Sequence, residues 1–484
     1  MNNHKRCNLL EAFIPLIVLI GSLFYNIVAY DGDISGGASQ LSLLMATAVG
    51  VAIGFRHEIS LDKIISDIEK SISSVSSTII ILFIIGSLSA TWMISGIVPT
   101  MIYYGLKIIN TQLFLVTSVI MCSLVSVFVG SSWTTVSTIG LAMLGIGKVL
   151  NFPEEITAGA IVSGAYFGDK MSPFSETTNL ASAVTKTDLF SHIRYMMYTS
   201  VPSIAITIVL FLIIGYCYGD YVPANTQDFI EALDSAFNIS PMLLIIPLII
   251  LIFLVKKEHA IKALFIGMIL GVIAMIVFQS DVIEKISGKN ILTFADYYTI
   301  IINVITSETV INTNNEVLNE LLSTSGMKGM LNTVWLIIMA MSFGGMMESI
   351  GALDAITNAI LRRIKNTPSL FAATTGTCLF LNTTVSDQYL SILISGKMYN
   401  NSFRERGLAP QNLSRTIEDS ATVTSPLIPW NTCGVTQSSV LGVSAMDYLP
   451  YAFFNYMSPI LTLIFGFLGI KIKRIKNKIS STKG

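Results

Sequence analysis

Long apolar runs separated by short polar turns make up most of the chain, and their lengths suit a bilayer better than a soluble core. Runs at 9–30, 38–55 and 74–94 read as the first three spans, because about 20 apolar helical residues cross the hydrocarbon. The third continues through Gly96 and Pro99 to Lys107, which predicts a bent or doubled element. Further spans are expected at 112–129, 195–217, 242–255, 261–278, 331–350 and 453–470. The acidic 219–238 segment reads as an amphipathic loop, and 280–328, with Glu308, Glu316 and Glu320, as a long polar external loop without clear helix.

Four stretches break the pattern. Gly130 to Thr138 carries six hydroxyl residues before the apolar run resumes at Ile139. Gly164 to Ser182 places Asp169, Lys170, Pro173 and Glu176 between apolar flanks. In the other half, Asn382 to Gln388 interrupts an apolar run, and Ser414 to Thr432 combines Arg415, Glu418 and Asp419 with Pro426 and Pro429. A charge at bilayer depth costs roughly 2.5 to 3.5 kcal/mol on insertion scales, so it persists where it is paired or wetted. A proline frees a helix carbonyl, and irregular backbone at that depth is tolerated where it lines a cavity or is buried in protein. The chain therefore reads as an all-α polytopic membrane protein of about 11–13 transmembrane helices. Proline- or polar-broken helices, or re-entrant hairpins at 155–186 and 408–444, interrupt them.

The breaks recur. Thr134–Ser137 and Thr383–Ser386 are both Thr-Thr-Val-Ser, 249 positions apart. Ser172-Pro173 and Ser425-Pro426 are 253 apart, Asn179 and Asn431 are 252 apart, and Ser89, Met93 and Ile97 precede Ser342, Met346 and Ile350 by 253. Paired interrupted segments in two halves point to a binding site at the repeat interface. We expect a first half at 1–218 containing repeat one (72–186), a linker at 219–240, and a second half at 241–484 containing repeat two (325–444). The basic loop before Ser89 and the acidic loop before Ser342 favour an inverted arrangement.

Composition agrees: 52% of residues are hydrophobic, 12% charged, and mean hydropathy is +0.69. Soluble domains carry about 25% charged residues. The formal net charge of −1 and the lack of a basic domain exclude a nucleic-acid partner, leaving the lipid bilayer as the surrounding medium. His4, Lys5 and Arg6 before the first run, Arg56, Lys63 and Lys70 after the second, and Lys471 to Lys478 at the end place both termini in the cytoplasm by the positive-inside rule. The first run exceeds a signal h-region and reads as an uncleaved helix. The five cysteines lack metal-ligand spacing and read as small core residues. The four histidines read as interfacial. No GxxxxGK[ST] loop and no nucleophile elbow occurs, so neither ATP-driven pumping nor an enzyme is indicated, and no cofactor is expected.

A carboxylate can bind either a proton or a cation, which an exchanger requires. The carboxylate candidates are Asp169, Glu176, Glu348, Asp387, Glu418 and Asp419, and Ser172, Thr178, Asn179, Thr424, Ser425, Asn431 and Thr432 add the neutral oxygens hard cations prefer. Asp169, Asn179, Thr424 and Asn431 are the set assigned to sodium. Lys170, Glu348, Lys397, Arg415 and Glu418 are charge partners, with Lys170 beside Asp169 and Arg415 one turn before Glu418 and Asp419. For each, the alternative is a role confined to holding broken helices together.

Gly168 to Pro173 with Glu176 to Asn179, Glu418 to Ser420 through Thr424 to Gly434, Asp387-Gln388-Tyr389, and Trp92 through Thr100 resemble the NhaC family of sodium/proton antiporters. The likeness covers most of residues 70–470. It implies a bacterial inner-membrane antiporter whose partners are sodium ion and proton. The same family includes exchangers that couple both to small organic acids, malate against lactate being the known type. In that alternative Lys170, Lys397 and Arg415 are the anion candidates. A homodimer remains compatible with either.

Overall fold

The computed structural model describes residues 7–29, 37–218, 226–256, 260–289, 291–311, 318–319, 322–362 and 364–475. The expectations placed on His4 to Arg6, Glu316, Glu320, Lys476 and Lys478, and on 219–225 of the linker, lie outside the described residues.

The described residues are helical, with two isolated β-bridges and no strand. In the first half the elements are α1 (Leu9–Ala29), α2 (Ala38–Arg56), α3 (Leu61–Ser74), α4 (Ser76–Ile94), α5 (Ile97–Ile108), α6 (Phe114–Val129), α7 (Ser132–Thr135), α8 (Leu141–Val149), α9 (Glu154–Met171), α10 (Glu176–Val184) and α11 (Leu189–Tyr218). After α12 (Thr226–Ala236) come α13 (Ile245–Val255), α14 (Ala260–Phe278), α15 (Ser280–Ser287) and α16 (Phe294–Thr306). The second half continues with α17 (Leu331–Ser349), α18 (Ala352–Leu361), α19 (Thr367–Thr384), α20 (Gln388–Glu405), α21 (Pro410–Ile417), α22 (Thr432–Leu441) and α23 (Phe453–Leu468). Among the described residues seven helices are long and apolar enough to cross a membrane, or nine if two pairs bent by 89° and 58° each count as one span. The remaining helices around the breaks are shorter or more polar than a free-standing span.

Three segments differ from the sequence expectation. The basic stretch after Arg56 forms α3, started by Ser60, whose side chain accepts the Lys63 amide. The 280–328 stretch contains α15 and α16, the latter opened by a reciprocal Thr293–Asp296 capping box. α12 lies within the expected linker.

The bend after α4 is made by Gly96, whose φ of 78° only a residue without Cβ adopts readily. Pro99 then falls in the first turn of α5, where its missing amide hydrogen costs nothing. The second half repeats the geometry: α17 ends, Gly351 turns with φ of 74°, and α18 begins. α4 and α17 are both 19 residues long and start 255 positions apart, as do Gly96 and Gly351. α6 and α19 end 255 apart, and α10 and α22 start 256 apart.

α9 stops at Met171 because Ser172 precedes Pro173 and is driven out of the helical region, to φ −83° and ψ 131°. α10 restarts from Ser175, which caps the Thr178 amide, with Glu176 in its first turn. Two π-helical turns, Val136–Gly140 and Glu418–Thr422, flank this break in space. α9 packs along α6 and also touches α11, α23 and both π turns, so its end is held at the centre of the bundle.

Candidate functional site

A cavity of about 510 Å³ opens at the end of α9. Its walls come from the start of α4 (Ser77, Thr78, Ile81), the 129–134 segment, residues 173–177, and Asn179, Gln388 and Tyr389. Asp169 is 5% exposed and lies on this wall. Its Oδ2 accepts the Ser132 amide at 3.0 Å, and the Ser175 hydroxyl faces the same carboxylate. The approach depends on Gly130: φ is 71°, and a Cβ there would lie 2.7 Å from the Phe174 carbonyl carbon. Glu176, exposed at the mouth, accepts the Tyr389 hydroxyl at 3.0 Å.

From Asp169 a line of hydroxyls leads inward. Ser175 Oγ is 3.0 Å from Thr177 Oγ1, which donates to Glu418 Oε1 at 3.0 Å. Glu418 is fully buried, and its second oxygen has no partner. The neighbouring side chains point elsewhere, since consecutive helical residues diverge by about 100°. Lys170, also fully buried, pairs with Asp419 across the halves and donates to Ser458 at 2.9 Å. Asp419 further accepts Ser458 at 3.1 Å, Thr199 at 2.7 Å and Thr462. The partner of Lys170 is thus not its neighbour Asp169 but Asp419, which makes no ion pair with Arg415.

The second break is closed on itself. Asp387 caps α20 through the Leu390 amide at 3.0 Å and accepts Thr432 Oγ1 at 3.3 Å. Asn382 donates to the Ala421 carbonyl and to Thr424 Oγ1, and Asn431 donates to the Asn382 carbonyl. Ser425 bonds the Thr422 carbonyl at 2.7 Å and reaches Gln388 at 3.4 Å. Of the four residues assigned to sodium, Asp169 and Asn179 line the cavity, whereas Thr424 and Asn431 do not. Ser172 is occupied by the Val127 carbonyl at 2.6 Å and Thr178 by the Lys170 carbonyl at 3.0 Å. Glu348 is exposed and faces Lys70, and Lys397 is exposed on α20, both outside the cavity lining.

Arg415 is fully buried, its guanidinium 4.7 Å from the Tyr195 ring and 5.7 Å from the Phe465 ring, with Nε and Nη2 unpartnered. The sequence reading missed Thr199, Ser458, Thr462 and the full burial of His192. Ser458 and Thr462 stand four apart in an apolar helix, one polar face that could have been found. Nothing local marks Thr199.

A second cavity, of about 1200 Å³, lies at the other end of α9, lined by Lys148, Glu154, Glu155 and Asp447 among others. Glu155 and Asp169 are separated by about 21 Å of helix at 1.5 Å per residue. Between the two cavities the buried Tyr166 receives a 3.4 Å bond from Gln437. No group of three His, Cys, Asp or Glu among the described residues could hold a metal ion. A single carboxylate with hydroxyl and backbone oxygens suits a monovalent hard cation instead.

The profile of the Na+/H+ antiporter family matches residues 164–470. The chain is 40% identical over 394 residues to the Na(+)/H(+) antiporter NhaC of Alkalihalophilus pseudofirmus (strain OF4), covering 81% of this chain and 82% of that protein. It is 35% identical to the Na(+)/H(+) antiporter NhaC of Bacillus subtilis (strain 168), covering 88% and 91%. It is also 34% identical to the malate-2H(+)/Na(+)-lactate antiporter of the same organism, covering 90% and 91%.

Proposed function

The chain belongs to the Na+/H+ antiporter family, and from that premise we propose that it exchanges sodium ions for protons across a bacterial cytoplasmic membrane, with Asp169 as the carrier. The observation that carries the assignment is a nearly buried carboxylate facing a polar cavity on one side and a hydroxyl line to Glu418 on the other. A proton and a sodium ion compete for the same oxygens of Asp169, so the site holds one or the other. Exchange follows when the protein reorients only with the site occupied. Sodium in this position takes Asp169 with oxygens from Ser131, Ser175 and Asn179, all on the cavity wall. The roles assigned from sequence to Thr424, Ser425, Asn431 and Thr432 become structural ones, holding the second break.

The recurrence of helix lengths, glycine turns and helix starts at 255–256 residues supports a duplicated core, close to the 249–253 offsets of the shared strings. The cavities at the two ends of α9 are the access routes of alternating states. α3, which carries Lys63 and Lys70, leads directly into α4, whose first turns (Ser77, Thr78) line the Asp169 cavity, so by the positive-inside rule that cavity faces the cytoplasm, the side to which the basic residues at both ends of the sequence assign the termini.

A second reading, sodium- and proton-coupled exchange of small organic acids, is favoured by one feature. Arg415 presents two unpartnered guanidinium nitrogens in a fully buried position, and such a group recognises carboxylates. The test is pH change driven by a sodium gradient in proteoliposomes, with and without malate and lactate. Sodium-dependent proton movement without organic acid establishes the first reading. Movement that requires malate or lactate establishes the second and replaces Asp169 by Arg415 as the determinant of cargo.

A further inference from the structure

Two hydroxyls stand between two buried carboxylates. The Ser175 hydroxyl faces Asp169 on the cavity wall, Ser175 Oγ lies 3.0 Å from Thr177 Oγ1, and Thr177 Oγ1 lies 3.0 Å from Glu418 Oε1. The line therefore has three links, while its two hydroxyls supply one hydrogen each. The Thr178 amide, 3.4 Å from Ser175 Oγ, uses one lone pair of that oxygen and leaves the other, with the hydrogen, for the links on either side. One link stays empty unless something else fills it.

Glu418 is the inner end of this line and the carboxyl there that is free to change charge. Thr177 donates to its Oε1, and its Oε2 has no partner although the side chain is fully buried. Asp419, next in the chain, is held by Lys170 and three hydroxyls. An anion buried with so few donors as Glu418 is poorly compensated, and a bound proton removes the charge. The titratable groups facing Glu418 are Lys170 and Asp169 of α9 and Cys378 of α19. Arg415, one turn before it, faces the Tyr195 ring, and His192 of α11 is acted on by Lys170 and Asp419. Glu176 of α10 faces Asp169 and takes the Tyr389 hydroxyl of α20 at the mouth.

We propose that the proton exchanged for sodium is shared between Asp169 and Glu418 along this line, with Glu418 as its inner site. This rests on the sodium/proton reading and adds where the proton resides. Without sodium, a third hydrogen completes the three links, bonded to Asp169 or to Glu418. Passage between them needs no other reactant: the O–H bond on one carboxyl breaks, each hydroxyl takes a hydrogen from one side and gives its own to the other, and an O–H bond forms on the second carboxyl. When sodium bridges Asp169 and Ser175, the ion fills the first link. The Ser175 hydrogen then turns to Thr177 and the Thr177 hydrogen to Glu418, so two hydrogens suffice and the third leaves to cavity water. One positive charge replaces another, and the charge of the site is unchanged.

The test is sodium-induced proton release by the purified full-length protein in detergent, followed with a pH indicator over a range of starting pH, which requires no transport cycle. Wild type is expected to release a proton when sodium binds. In Glu418→Gln the proton has Asp169 alone and no second negative charge to hold it, so release is expected to move to lower pH by about one unit or more, the scale of a coupled pair. Thr177→Val keeps the shape, cuts the line and leaves Glu418 with its own proton, so it moves release the same way. Thr177→Ser keeps the hydroxyl and the wild-type curve. An unshifted curve in either folded variant, or a Thr177→Ser curve that moves with Thr177→Val, overturns the sharing. Melting temperature shows which variants fold; where one does not, the other decides, and loss of folding in both makes the line structural and overturns the proposal too. A wild type that binds no sodium, or binds it without releasing a proton, instead overturns the sodium/proton reading itself.

Discussion

The two proline breaks use the same residue types and reach opposite outcomes. At the first, Ser172-Pro173 leaves Asp169 on the wall of an open cavity, with one amide and one hydroxyl near it. At the second, Ser425-Pro426 lies in a region where Asp419, Glu418 and Arg415 are all fully buried, and Asp419 is saturated by Lys170 and three hydroxyls. A carboxylate with spare coordination beside water can change its partner. One with four donors in a dry interior is held. In the proposed reading the pair of breaks separates an exchangeable site from a lock, and Lys170 joins them, since it sits beside Asp169 in sequence and against Asp419 in space.

The largest expected effect is on the lock. Removing one member of a buried pair leaves the other charge uncompensated and costs about 3–5 kcal/mol, whereas replacing both by apolar groups can be neutral. Lys170→Met and Asp419→Leu are each expected to lower stability by about that amount, and the double variant to recover most of it. Thermal and denaturant unfolding of the purified protein measures this. Single variants within about 1 kcal/mol of wild type contradict a lock, since that is the range of exposed ion pairs.

At the exchangeable site the effect is on transport. Asp169→Asn keeps the shape and removes the charge, so sodium-dependent proton movement is expected to fall about 100-fold or more, equivalent to about 2.7 kcal/mol. Stability is expected to change by less than about 1 kcal/mol, because one amide and one hydroxyl can still be satisfied. Normal exchange in this variant removes Asp169 from the carrier role and collapses the contrast between the breaks.

How much of this was legible follows from the range of the interactions. The apolar runs show the spans because span length is a local property, and α1, α2 and α4 fall within two residues of where hydropathy places them. The breaks are equally local: Pro173 and Pro426 announce them. The pairing is not. Lys170 meets Asp419 across 249 residues, and nothing in either neighbourhood tells this from pairing with Asp169 or Arg415. His192 lies near a polar turn, which suggests an interface, yet α11 carries it into the bundle. α15 and α16 were hidden because their polar faces resemble loop composition.

A smaller effect belongs to the cavity mouth, where Tyr389 donates to Glu176 from opposite halves. This contact is exposed, so water competes for it and its value is below about 1 kcal/mol. Tyr389→Phe and Glu176→Gln are expected to change apparent sodium affinity about two- to fivefold, in proteoliposome assays at fixed pH, without altering unfolding. Changes as large as those of Asp169→Asn would move the carrier role toward the mouth.

The smallest effect lies outside both breaks and calibrates them. Asp67 on α3 is partly buried, which opposes its charge, but hydrogen bonds from Lys70 and Lys63 outweigh burial and hold its pKa below the usual 3.8. A carboxylate depressed in the folded state adds stability that is full above its unfolded pKa and lost as pH falls through the folded value. Asp67→Asn is therefore expected to cost less than about 1 kcal/mol at neutral pH and to cost progressively less below about pH 4. Melting temperatures of wild type and variant at neutral and acid pH report this difference. A loss at neutral pH approaching that of Asp419→Leu would mean that a surface pair can match the buried one, and burial would no longer explain why the second break is locked.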